Sequence, residues 1–413
     1  MPAIPWKVAL RDSSMYLHTP DTYSLRAAGP VPAYTTLERD LRCEVLVLGT
    51  GISGALTAWK LQQAGFHCTL IDRRAAAMGS TVASTSLLQY ELDTSLCELS
   101  DRIGNRAAEE SYRLCYEAID MLEQLCADCG AANLFEARNS VQWASSRRHL
   151  PALREEAVRR KAIGFDVELL GSKALADDYF LQKSGGLFSS KAAQIDAFAL
   201  THRLLASIVD DGGAVYTHTE AVHIDWQREG ISVRTSTGHH IEAQRLVIAC
   251  GYESQRYLPK SVEELFVTYV QLSEPLPTDA FWKDRALLWE TAHPYLYLRT
   301  TTDNRLIIGG KDDPYDGRPG FPALSRKAKA LQRSVEHLLP GLPFRPALSW
   351  AGIFAGTTDG LPYIGSVPGQ PHTAYALGFV GNGILFSVLA ADIIAGLFNG
   401  HKPQGASLFS FNR

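Results

Sequence analysis

One strand–turn–helix signal near the N-terminus constrains this chain more than any other feature. Cys43–Leu48 is a short apolar run that leads directly into Gly49-Thr50-Gly51-Ile52-Ser53-Gly54, a G-x-G-x-x-G. Ile52, Ala55, Leu56 and Trp59 then recur at the spacing of an amphipathic helix, and Gly65 ends it. His67–Ile71 reads as a second strand, with Asp72 at its end. Gly49 allows a tight turn out of the strand, Gly51 lets backbone approach a pyrophosphate, and Gly54 lets the helix pack close to the strand. The helix start offers free N–H groups to a diphosphate. Asp72 lies 18 residues after Gly54, in range of an adenosine ribose. An acid there favours a free 2′-hydroxyl, as in FAD or NAD, over NADP. Arg73 beside it joins the cofactor-binding candidates.

At 413 residues the chain exceeds the usual size of one hydrophobic core, so two domains are expected. Its charges are mixed along the chain and sum to only -4, with no basic block to neutralise phosphates, so nucleic acid is not an expected partner. The start at Met1–Trp6 lacks the pattern of a secretory signal. The most apolar run, Ile384–Phe398, is too short to span a bilayer and reads as a buried helix. Seven cysteines, an odd number, suggest reduced thiols and a cytoplasmic location. Cys126 and Cys129 read as two small buried residues on a helix, and no zinc-ligand spacing accompanies them. No metal site is expected.

Residues 1–42, rich in Pro, Thr and Tyr, read as an extended arm across the surface. A hydroxyl-rich loop runs from Gly79 to Ser86. Tyr112, Cys115, Ile119, Leu122 and Cys126 predict a long helix over 105–129 that Gly130 stops. Further helices are expected over 150–162 and 197–209. Strands are expected at 140–145, 214–216, 233–235 and 246–249, and at Tyr295–Arg299.

Two later blocks carry a resemblance. One joins Gln194-Ile195-Asp196 to Thr219–Val222 and ends at Arg245–Gly251; the other runs Trp350–Gly365 with Asp359-Gly360-Leu361-Pro362, followed by Gly378–Leu385 with Gly381-Asn382-Gly383-Ile384. With the first block these motifs resemble the D-amino-acid-oxidase-like flavoproteins, which include glycine-oxidase, sarcosine-oxidase and gamma-glutamylputrescine-oxidase types. The resemblance covers most of residues 30–400. It implies an α/β fold: a discontinuous Rossmann-like FAD-binding domain (43–100, 190–255 and 345–413) and an antiparallel-sheet α+β substrate domain (101–189 and 256–344). It implies that Gly79, Ser80 and Thr81 follow the diphosphate and flavin, that Val222 meets the adenine, that Cys250 and Gly251 return beside the cofactor, and that Asp359 belongs to the flavin-binding set. The helix opened by Gly381–Ile384 would face the flavin pyrimidine and stabilise negative charge there.

Family chemistry is hydride transfer from a carbon bearing nitrogen to flavin N5, giving an imine that hydrolyses. The expected substrate is a small amine or amino-acid-like molecule, with oxygen or another acceptor reoxidising the flavin. Gly352 stands where some members tether flavin through Cys, and no His lies between Gly79 and Leu99, so FAD is expected to be non-covalent. Glycine-oxidase-like members place a carboxylate-clamping Arg just before D-G-x-P; Ile353-Phe354-Ala355-Gly356 has none. Tyr295, Tyr297 and Arg299, on one face of a strand by period-two spacing, are the substrate-binding candidates. A solvated outer sheet face is the other reading of that trio. An NAD-dependent dehydrogenase and a non-catalytic flavin-binding or RNA-modification partner are the alternatives for the whole chain.

Overall fold

The computed structural model describes residues 15–318 and 320–413, so the first part of the expected arm lies outside the described residues. Two large mixed sheets organise them.

The first sheet has eight strands. Its main path runs Tyr363–Gly365, Thr373–Leu377, His240–Ile248, Leu41–Leu48, Cys68–Ile71, Ala214–Tyr216. The pairings of the last five are parallel. Leu41–Leu48 lies at its centre, and its apolar run is buried on both faces, as a covered parallel strand requires. Val45 and Val47 pack towards the helices Ile52–Gln63, Ala197–Asp210 and Gly383–Phe398. Leu46 and Leu48 pack on the opposite side against the hairpin Ala221–Trp226/Ile231–Thr235. Helix Gly383–Phe398 is buried almost throughout against Ile52–Gln63, which explains its unbroken apolar sequence.

The second sheet has nine strands and is mostly antiparallel. Its path runs Pro346–Gly356, Glu264–Ser273, Leu306–Pro314, Tyr297–Thr300, Leu287–Glu290, Phe135–Trp143, Gly185–Ile195, Leu87–Gln89. Helix Leu324–Leu338 covers part of it.

The chain crosses between these units at different points from those the sequence suggested. Strand Pro346–Gly356 pairs along its length with Glu264–Ser273 in the second sheet, although 345–413 was assigned to the nucleotide domain. Leu87–Gln89 likewise pairs with Gly185–Ile195. Helix Asn105–Asp128, assigned to the substrate domain, buries Tyr112, Cys115, Ile119, Leu122 and Cys126 in the core shared with Gly383–Phe398. Periodicity located that apolar stripe but could not say which partner covers it. The described part of the arm is also more than a surface strap. Leu17 and Leu37 are buried, and Leu17 O accepts from Ile353 N–H at 2.9 Å.

Candidate active site

One continuous cavity runs between the sheets, and its wall holds most of the candidates from the sequence. At one end, Gly49 turns with φ +111°, and a Cβ there would sit 2.4 Å from Ala249 O, just past the neighbouring strand His240–Ile248. Gly54 lies beneath this turn rather than on the cavity; a Cβ there would sit 2.0 Å from Gly49 O. Gly51, Ile52 and Ser53 form the wall itself. Gly51 caps the helix without a side chain, and Ile52 N–H donates to Thr81 Oγ1 at 3.0 Å. Bare backbone beside a helix start is a cradle for phosphate.

Asp72 closes this cradle. Its Oδ2 accepts from Thr50 N–H at 2.7 Å and Thr50 Oγ1 at 3.0 Å, and its Oδ1 accepts from Arg74 N–H at 2.9 Å. Burial pushes its carboxyl up against the pull of those bonds. Of about four lone-pair directions, one is left for a ribose hydroxyl. Arg73 and Arg74 both bind Glu253, and Arg256 binds Glu220 at 2.8 Å. Cys250 and Gly251 line this end, with Gly251 at φ +59°. Val222 is not on the wall; Glu220 and Ala221 are.

Gly79, Ser80 and Thr81 line the middle of the cavity. The second sheet pins their loop: Trp350 Nε1 donates to Ala83 O at 3.0 Å, and Arg299 Nε donates to Thr85 O. Arg299 is therefore behind the loop and off the cavity, only 7% exposed, and burial pulls its pKa down. The sequence placed it with Tyr295 and Tyr297 as a substrate contact. Strand parity is right, but the flavin loop covers that end of the face. Asp359 is also off the cavity. It grips Arg413 through two bonds at 2.7 and 3.1 Å and accepts from Leu361 N–H.

At the far end, Gly381, Asn382, Gly383 and Ile384 present the tip of helix Gly383–Phe398 to the cavity. Asn382 donates its amide to Gln89 O and Glu91 O, and no side chain caps the first turn. Its N–H groups thus remain available to a ligand. Beyond the tip lies a compartment walled by Trp289, Tyr295, Tyr297, Phe354, Phe379, Asp93 and Asp312. Asp93 joins its two sides, accepting from Tyr295 O–H at 2.8 Å and Gly381 N–H at 3.0 Å. Glu91, also on the wall, has Arg160 at 3.6 Å. Asp312 reaches the wall through an irregularity in register, where Lys311 and Asp312 stand opposite Thr268 alone. Lys311 adopts φ +63° there, at a cost on the order of 1–2 kcal/mol for a residue with a Cβ. Asp93, Asp312, Thr268 and Trp289 were not found from the sequence. The nearest signal was Gly309-Gly310 before Lys311-Asp312-Asp313, a break late in an apolar strand.

A parallel sheet whose bare turn opens one end of a cavity, and a second helix tip at the other, define a dinucleotide-binding enzyme. The chain belongs to the DAO family, the FAD dependent oxidoreductases, whose family model matches residues 44–397. It is 24% identical over 390 residues to the glycine oxidase of Bacillus licheniformis, covering 88% of this chain and 95% of that one. It is 24% identical over 409 residues to the gamma-glutamylputrescine oxidoreductase of Escherichia coli (strain K12), covering 94% and 90%. The crystal structure of glycine oxidase from Geobacillus kaustophilus shares the fold, with a TM-score of 0.77 at 20% identity over 90% of this chain and 99% of that one. The family match makes FAD the dinucleotide and the protein an enzyme, which sets aside the NAD and non-catalytic alternatives. The cavity fits FAD, with a phosphate cradle at Gly51 and an uncapped helix tip at Gly383 on one wall. No helix among the described residues is long and apolar enough to cross a membrane. No group of three or more His, Cys, Asp or Glu among them is arranged to hold a metal ion.

Proposed function

We propose that this enzyme oxidises the C–N bond of a small amine or amino-acid-like substrate, using FAD held without a covalent bond. The observation that carries this reading is the compartment beyond the Gly383 helix tip, which is continuous with the nucleotide groove and walled by Trp289, Tyr295, Tyr297 and Phe354. Relatives named for glycine and for gamma-glutamylputrescine support a nitrogen-bearing substrate.

Gly51–Ser53, Ser80 and Thr81 would hold the diphosphate, Asp72 the ribose, and backbone at Glu220–Ala221 the adenine, one position from Val222. When bound, FAD supplies a two-electron acceptor that takes a hydride from the carbon bearing nitrogen. The free N–H groups at Gly383 and Ile384 favour negative charge at the adjoining end of the cavity. The aromatic walls orient the substrate and exclude water. Tyr295 and Tyr297 stay neutral, since burial raises both hydroxyls, that of Tyr297 to about 12. They donate or accept hydrogen bonds rather than take a proton as base. The imine product hydrolyses in water, and oxygen or another acceptor reoxidises the enzyme.

The test is anaerobic mixing of the yellow protein with a panel of amines and amino acids. At least one member is expected to bleach the visible absorbance of the oxidised flavin. A panel that leaves a fully FAD-loaded protein unbleached would refute the reading.

A further inference from the structure

Asp312 is a carboxylate that its surroundings only partly balance: Thr268 and Lys327 favour its charged form, and burial outweighs both. It lines the substrate compartment, and its buried Oδ1 has no hydrogen-bond partner. Among the described residues Thr268, opposite it across the irregular register, is the one hydroxyl close enough to favour its charge. The ammonium that comes nearest to serving it is already engaged: Lys327 Nζ donates to Asp313 Oδ1 and Lys311 O, both at 2.6 Å. Asp93, a second carboxylate on the same wall, adds repulsion. Asp93 itself is satisfied by Tyr295 and Gly381. A half-buried acid with so little to support its charge is costly and usually neutralises or finds a cation. Here the backbone accepts a left-handed Lys311 to keep that acid on the cavity wall.

The same compartment is lined with rings suited to a cation. Trp289 and Tyr295 meet edge-on at 6.0 Å between centroids, and Tyr295 and Tyr297 do so at 6.0 Å. Ring faces attract ammonium groups, most strongly where water is excluded. The cavity's positive side chains, Arg73, Arg74 and Arg256, are at the nucleotide end and are paired with Glu253 and Glu220. Among the described residues of the substrate compartment, a substrate carboxylate would meet Asp93 and Asp312 and no free cation.

We propose that Asp312 anchors an ammonium group, so the substrate is an organic cation without a carboxylate rather than an amino acid. This rests on the amine-oxidation reading and narrows it. A diamine suits the geometry best, because one nitrogen stays protonated on Asp312 while the other, neutral, is oxidised.

Two measurements on the FAD-loaded enzyme test it. The first is calorimetric titration with tetramethylammonium, a cation that cannot be oxidised. Asp312→Asn is expected to weaken binding by about tenfold or more. In the wild type, affinity is expected to fall as the pH drops through about 6, where burial has moved the Asp312 carboxyl. The groups facing it are Asp93 from its loop, Lys327 from its helix, Asp313 beside it, and Tyr295 and Tyr297 from the next strand. The second is anaerobic flavin reduction by diaminobutane, butylamine and α-aminobutyrate. The expected order is diaminobutane, then butylamine, with α-aminobutyrate at least about a hundredfold slower than either. Asp312→Asn should erase the advantage of the diamine.

Reduction by α-aminobutyrate as fast as by butylamine would overturn the proposal while leaving C–N oxidation standing. Tetramethylammonium binding unchanged by Asp312→Asn, or absent in the wild type, would overturn it as well. Cation binding that depends on Asp312, with no flavin reduction by any of the three, would keep the anchor and remove the amine-oxidation reading. Where Asp312→Asn fails to fold or to hold FAD, the wild-type pH profile and the substrate order still decide.

Discussion

The two ends of the cavity are built on opposite plans. The nucleotide end centres on the stretch 48–74, joined by 219–221 and 249–257, and depends on backbone shape: a turn at Gly49, a bare helix start at Gly51 and close packing at Gly54. Its arginines are matched by Glu220 and Glu253. The substrate end depends on side chains delivered from many places, including Asp93, Trp289, Tyr295, Asp312, Phe354 and Gly381. It also keeps a thinly supported acid and a residue in the left-handed region. The first end needs the absence of side chains and the second needs particular ones. A disturbance should therefore act all-or-none at the first end and by degrees at the second.

The largest effect is expected from Gly54→Val. Its Cβ would fall 2.0 Å from Gly49 O, inside the turn that shapes the phosphate cradle, and two backbone segments would have to part. The protein should purify without FAD and melt at a lower temperature. Gly171→Ala is the control, since a Cβ there meets nothing and its φ is -78°. Visible absorbance per mole of protein reads both. A yellow Gly54→Val protein with full flavin content would end the claim that this end works through backbone shape.

The same division explains what the sequence made legible. Helix Ile52–Gln63 was readable because Ile52, Ala55, Leu56 and Trp59 repeat locally, and all four are buried. Helix Leu150–Ala162 was readable as a charged run stopped by Gly164, which adopts φ +90°. Arg299 shows the limit. Period-two spacing gave its face correctly, but only the tertiary fold lays Thr85 over that end of it. Asp359 shows another limit: a D-G turn beside a flavin motif reads as part of the site, while its partner Arg413 carries no local signal. Asp93 meets Gly381, 288 residues away in sequence, and Asp312 stands opposite Thr268 on a different strand. Periodicity within one element cannot report such pairs.

Asp93→Ala sharpens the contrast at the substrate end. Asp93 ties Tyr295 on the second sheet to Gly381 at the helix tip, so it sets the spacing across which a substrate is held. Losing it should lower kcat/KM for any amine that reduces the flavin by roughly 10- to 100-fold, a misplacement effect. FAD should stay bound, and stability should fall by about 1 kcal/mol, because the side chain is only partly buried. Kinetics with thermal melting separates the two. An unchanged kcat/KM would mean that the aromatic wall holds its place without this tie.

The smallest expected effect comes from just behind the compartment, at Glu263. One of its oxygens accepts from Gly378 N–H at 2.6 Å, immediately before the wall residues Phe379–Gly381, and the other has no partner. Burial pushes its carboxyl from the ordinary 4.5 to about 8. A folded pKa above the unfolded one means the native state holds an extra proton between those values. Stability from this group is therefore greatest at low pH and declines as pH rises from about 4.5 towards 8. Glu263→Gln keeps an oxygen for Gly378 N–H and cannot ionise, so it should flatten that slope. The two proteins should melt alike near pH ~5, and the variant should be the more stable near pH ~9. Melting curves across that range decide it. Parallel profiles would show that Glu263 meets solvent or a counter-charge, and that the wall at Phe379–Gly381 is less tightly backed than its packing implies.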